Sequence, residues 1–285
     1  MQSNTPEARE ADAHNPGTAA SEPPGVEPAR PTDLSLKGFG IAAVREVTNL
    51  DSELLATLRA LLLRPGLLTH EYVSRRSGRF MSPLRTFLVA NVLYFAVHTF
   101  FIHGDTFTTH LTTQLETVPA VQLKRALVER KIAAEESSLE SLSIQWDAVA
   151  AEHGKTLVVM VIPIYAIIST IILLYLRRPI VQHIVFAIHF VSFVLLALIL
   201  FPLVMAPVFL MARITGVSLQ LLATDTGGSL LLGGVFVAYL FPGLRRAYNV
   251  GRPAALLLAA ILVVGFLVAL QLYRFALFFS IYFAL

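Results

Sequence analysis

Apolar residues along this chain gather in five runs, at roughly 84–102, 157–176, 184–212, 229–243 and 254–284. About 20 apolar residues in a helix rising 1.5 Å each cross a hydrocarbon core ~30 Å thick. The pattern therefore predicts an all-α fold: a polytopic helical membrane protein of about five transmembrane helices. The third run is longer than one crossing needs, and Pro202 and Pro207 fall in its second half. It predicts a tilted, proline-kinked helix that runs on into the outer interface.

Two polar stretches carry a weaker periodicity. Residues 50–77 predict two short helices broken at Arg64-Pro65-Gly66, the first with an apolar face of Leu54, Leu55, Leu58, Leu61 and Leu62. Basic and amphipathic, they are expected to lie on the inner leaflet. Within 104–155, Val121, Leu127, Val128 and Ile132 mark one helix, and Leu139, Leu142, Trp146 and Val149 another. That predicts an extramembrane helical hairpin on the outer side, packed on the bundle or open to a protein partner. Trp146 is expected at the headgroup level. The domain plan is thus a Pro/Ala/Glu-rich tail over 1–35 expected to be disordered, cytoplasmic amphipathic helices over 36–83, and a bundle over 84–285.

Charge orients this plan. Eighteen of the 19 acidic residues precede position 156, and Asp225 is the only one after it. Arg64, Arg75, Arg76, Arg79 and Arg85 precede the first run, Arg177 and Arg178 follow the second, and Arg245, Arg246 and Arg252 separate the last two. Cationic loops stay cytoplasmic, so the N-terminus is expected inside and the C-terminus outside, in the periplasm of a bacterial inner membrane. With a net charge of +3 and its arginines at membrane edges, the chain offers nucleic acid no binding face. Membrane lipids, a partner at 104–155 and a second copy of the chain are the expected partners. No cysteine is present, so disulfides and thiolate chemistry are excluded.

Three blocks carry a resemblance. The first is Leu61-Leu62-Leu63-Arg64-Pro65-Gly66, then Glu71-Tyr72, Arg76, Arg79-Phe80 and Pro83-Leu84-Arg85. The second is Gln182-His183 through His189-Phe190. The third is Tyr239-Leu240 through Leu244-Arg245-Arg246-Ala247-Tyr248. In this order they resemble the uncharacterised bacterial membrane family known as domain of unknown function 3667. The resemblance implies a helical inner-membrane protein of unassigned activity. Many relatives begin with a Cys-rich, zinc-ribbon-like segment; the Pro/Ala-rich start of this chain departs from that.

Candidate chemistry is sparse. Arg76, Arg79 and Arg85 flank the entry to the first span and could together grip a lipid phosphate. The intramembrane polar candidates are Asn91, His183, His189 and Arg274. Asn91 suits an interhelical hydrogen bond. His183 and His189 are six residues apart, about 240° around a helix, so they do not share a face. A metal site would need further ligands such as His98 or His103; none is predicted, and neither is a cofactor. Arg274 is expected to snorkel to the outer interface or face an anion. Gly227-Gly228 and Gly233-Gly234 suit close helix approach and a turn. No paired acid or nucleophile set supports an enzyme. A non-enzymatic scaffold or regulatory module contacting anionic lipid is expected; the alternative is a transporter or channel lined by Asn91, His189 and tyrosines.

Overall fold

The computed structural model describes residues 52–76, 78–101, 107, 110–116 and 120–285. The tail over 1–35 and His103 lie outside them. Every regular element among the described residues is helical. Helix α1 covers 52–63, and α2 (Leu67–Val73) follows the turn at 64–66. Pro65 cannot continue a helix, and Gly66 takes the left-handed backbone (φ 77°) that starts α2. On α1, Thr57, Ala60 and Leu61 are buried. The Thr57 hydroxyl accepts from the Met81 amide at 3.0 Å and so ties α1 to the approach of α3.

Helix α3 (Pro83–Phe101) lies along α8 and buries Phe87, Ala90 and Tyr94. Among the described residues, four helical segments are long and apolar enough to cross a membrane: Val158–Leu176, Ile180–Thr215, Asp225–Tyr248 and Arg252–Ala284. Helix α3, the first of the five expected spans, is a 19-residue helix and is not one of these four.

The segment between α3 and the second apolar run contains α4 (Leu111–Gln114), α5 (Val121–Glu135) and α6 (Leu139–Leu157). Ser138 caps α6 by accepting from the Ser141 amide. The segment is seated on the bundle. Trp146 is fully enclosed, its ring 4.9 Å from Phe278. An indole held this way replaces lipid contacts with fixed packing. On α5, Lys124 and Lys131 lie over the rings of Phe278 and Tyr282, so α5 follows the end of α11. Asp147 accepts from the Leu111 amide and pairs with His110, fastening α4 to α6.

Helix α6 runs through a 3₁₀ turn (Val158–Met160) into α7 (Val161–Leu173) and a second 3₁₀ turn (Leu174–Leu176). Helix α8 (Ile180–Thr215) is one continuous helix of 36 residues with Pro202 and Pro207 inside it. Its side chains are largely buried through Ala197 and largely exposed beyond Leu198. The prolines thus sit in the half that leaves the bundle, where their missing amides disturb no buried packing. After the short α9 (Gln220–Ala223) come α10 (Asp225–Tyr248) and α11 (Arg252–Ala284).

The core between α7, α8, α10 and α11 is aromatic. Phe190 lies 5.4 Å from Tyr165, 5.5 Å from Phe266 and 5.8 Å from Phe236, mostly edge to face. Helices α7 and α11 close tightly at Gly265, where an added Cβ would meet Ile168 and Ile172 at 3.0 Å. Of the two glycine pairs expected at a close approach and a turn, Gly233 and Gly234 face open space, and Gly227 is buried at the start of α10.

Candidate functional site: the joint of α2, α8 and α10

Helix α10 ends at Tyr248, and Asn249 turns left-handed (φ 56°) to close it. The last carbonyls of a helix have no intrahelical donor, and side chains from other elements supply donors here. Gln182 Nε2 donates to the Ala247 carbonyl at 2.6 Å, and Arg178 reaches the Tyr248 carbonyl at 3.5 Å. The first turn of α8 is thereby held to the last turn of α10. His183 completes the joint: its ring is parallel to that of Tyr248, with Nδ1 3.0 Å from the phenol oxygen.

The α1–α2 turn docks on the same joint. Arg246 donates to the Pro65 carbonyl at 2.9 Å. Gly66 lies so close to α10 that a Cβ on it would stand 2.4 Å from the Gly243 carbonyl oxygen. Thr69, fully buried on α2, shares a hydrogen bond of 2.9 Å with Nδ1 of the buried His189. Helix α2 is therefore tucked against α8 and α10.

The two histidines do different work, as the angle between them requires: His183 serves α10 and His189 serves α2. No group of three His, Asp or Glu side chains able to hold a metal occurs among the described residues. Asn91 makes no interhelical bond through its buried Oδ1, contrary to expectation. Arg76, Arg79 and Arg85 are exposed; Arg79 lies over Phe80, and Arg85 pairs with Glu53 at 3.6 Å. Arg274 is half-buried near Lys124 of α5. Burial first, and the Arg274 guanidinium second, hold the Lys124 ammonium below the usual lysine pKa.

The arginines that shape this site, Arg178 and Arg246, were read in the sequence only as topology signals. Their second role was visible in principle, because helix ends need donors and both flank one. The glycines that matter, Gly66 and Gly243, each follow a proline. A Pro-Gly step is a sequence signal for an unusual backbone approach.

Two of the cavities that adjoin the bundle are apolar. One, of about 500 Å³, has Phe236 and Phe266 in its wall. Another, about 640 Å³, runs between α8 and α10 and ends at Leu62, Leu63 and Pro65. The aromatic core separates the first cavity from the joint of α2, α8 and α10, since the rings of its wall pack directly on Phe190, the neighbour of His189.

With this geometry in hand, comparison with known families is informative. A family model described as Protein of unknown function (DUF3667) matches residues 51–95. The match takes in α1, α2 and the first part of α3, which hold the first block of the resemblance. The second and third blocks lie beyond it in sequence, yet the contacts above bring all three to one place. No curated protein and no solved structure matches the chain. Together the family match and the apolar helices describe an integral membrane protein of unassigned activity.

Proposed function

We propose that this chain is a non-enzymatic scaffold or regulatory module that holds anionic lipid at the cytoplasmic face of a bacterial inner membrane. Its α1–α2 platform is the contact surface, its N-terminus is cytoplasmic, its C-terminus is periplasmic, and α3 is a fifth span beside α8. One observation carries the reading: the platform is fastened to α8 and α10 by buried contacts while Arg59, Arg64, Arg75, Arg76 and Arg79 stay at or near its surface. A fixed cationic surface at a helix entry attracts acidic headgroups at roughly 1 kcal/mol per basic side chain. The core also favours this reading over transport. Phe190, Phe236 and Phe266 fill the space that a polar path from His189 would need, and Asn91 and His189 bond to no common element.

The test is two-fold. Proteoliposomes should pass protons and potassium no faster than empty vesicles. Detergent-purified protein should gain about 3–6 °C in Tm with phosphatidylglycerol and little with phosphatidylcholine, a gain of ~1–2 kcal/mol. The preference should disappear when Arg64, Arg75, Arg76 and Arg79 are all changed to Gln. Flux above the empty-vesicle rate would favour the transporter alternative, and equal stabilisation by both lipids would remove the anionic-lipid reading.

A further inference from the structure

The cavity between α8 and α10 has features that packing alone does not explain. Along α8 it extends from Phe193 to Met205, about 18 Å at 1.5 Å per residue. Half of a hydrocarbon core is ~15 Å, so the groove is about one leaflet high. It begins beside Leu63 and Pro65, at the inner joint, and runs outward where α8 leaves the bundle. Its lining is almost entirely apolar, and Ala238 on its α10 side leaves it open.

One polar group faces this groove. Tyr239 is 7% exposed, with its ring stacked on Phe193 at 3.5 Å. Its hydroxyl has no hydrogen-bond partner among the described residues. A buried tyrosine ordinarily finds a partner for its hydroxyl, and an unmet donor in a lipid-filled site is costly. Tyr239 is seven residues from Arg246, about 10 Å toward the membrane centre. At the mouth, Arg64 is exposed, and Arg246 is exposed while spending one donor on Pro65. A guanidinium has five donors, so others remain directed to the surface.

We infer that this groove binds one inner-leaflet anionic glycerophospholipid: an acyl chain lies between α8 and α10, an ester carbonyl accepts from Tyr239, and the phosphate meets Arg64 and Arg246. The inference rests on the lipid-contacting reading above and deepens it, because it turns a general surface attraction into a site with a stoichiometry. Each chemical part of such a lipid meets its complement in order of depth. Guanidinium groups stand at headgroup level, a hydroxyl donor stands below them, and apolar side chains fill the rest of the leaflet.

The test is the lipid that full-length protein retains through purification in mild detergent, quantified by native mass spectrometry and by extraction. Wild type should keep about one phosphatidylglycerol-class lipid per chain. Ala238→Trp, which fills the groove from an exposed position, should lose it. Tyr239→Phe removes only a hydroxyl without a protein partner; it should reduce retention several-fold while leaving Tm in lipid-free detergent unchanged. Arg64→Gln with Arg246→Gln should abolish the preference over phosphatidylcholine. Wild-type retention in both Ala238→Trp and Tyr239→Phe overturns the site. So does a dimer that Ala238→Trp converts to monomer, because a second copy then fills the groove. If Ala238→Trp keeps both its retained lipid and the stabilisation by phosphatidylglycerol, the groove fails while the platform reading stands. If wild type is not stabilised by added phosphatidylglycerol at all, the platform reading fails first.

Discussion

Gly66→Ala should destabilise the protein by about 2–5 kcal/mol, while Gly243→Ala should be neutral or slightly stabilising. The two glycines face each other, yet their costs differ for physical reasons. Gly66 has φ 77°, a conformation that costs an L-residue ~1–2 kcal/mol. Its new Cβ would also stand 2.4 Å from the backbone oxygen of Gly243, and no side-chain rotation relieves a backbone clash. Helix α2 would have to move away from α10, and the bonds of Arg246 to Pro65 and Thr69 to His189 would stretch with it, adding ~1–3 kcal/mol of overpacking cost. A Cβ on Gly243 meets its nearest neighbours at 3.6–3.7 Å, ordinary van der Waals contact. Alanine there also gains up to ~1 kcal/mol of helix propensity. Thermal unfolding of the detergent-solubilised variants, followed by size exclusion, measures both. Equal effects at the two positions would mean that the turn does not approach α10 as described.

Phe190→Ala should cost about 3–5 kcal/mol. Its ring packs on Tyr165, Phe236, Tyr239 and Phe266, which come from α7, α10 and α11. One truncation therefore loosens three helices against α8. In a bilayer the loss is one of packing and not of water exclusion, because lipid tails are as apolar as the side chain removed. Phe283→Ala supplies the control: that ring is 78% exposed, and its removal should move stability by less than ~0.5 kcal/mol. A Phe190 variant as stable as the Phe283 variant would show that the aromatic centre is not the core.

The fold class was legible because lipid leaves a backbone few choices. A crossing segment must satisfy its own amides, so long apolar runs read as helices. Breaks were equally plain at Arg64-Pro65-Gly66 and around Arg177 and Arg178. What periodicity could not convey was which side chains meet across distant elements. Thr69 and His189 are 120 positions apart, Gln182 and Ala247 are 65, and Pro65 and Arg246 are 181. The 240° offset excluded a shared face for His183 and His189 but could not name Tyr248 and Thr69 as their partners. Amphipathicity misled at α2: a helix with buried Leu68 and Thr69 looks the same whether its partner is a leaflet or another helix. Trp146 is a similar case, since an indole suits an interface and a protein cover alike.

The meeting of α2 with α8 is the claim from which the platform, the groove and the glycine predictions all follow. The chain has no cysteine, so a Thr69→Cys, His189→Cys pair can be treated with a short bifunctional thiol reagent in native membranes and weighed by intact-mass spectrometry. Most of the protein should carry one intramolecular bridge, and a Tyr72→Cys, His189→Cys pair should carry none, because Tyr72 is on the exposed side of α2. Two separate single-ended adducts on the Thr69 pair, or equal bridging by both pairs, would contradict the account.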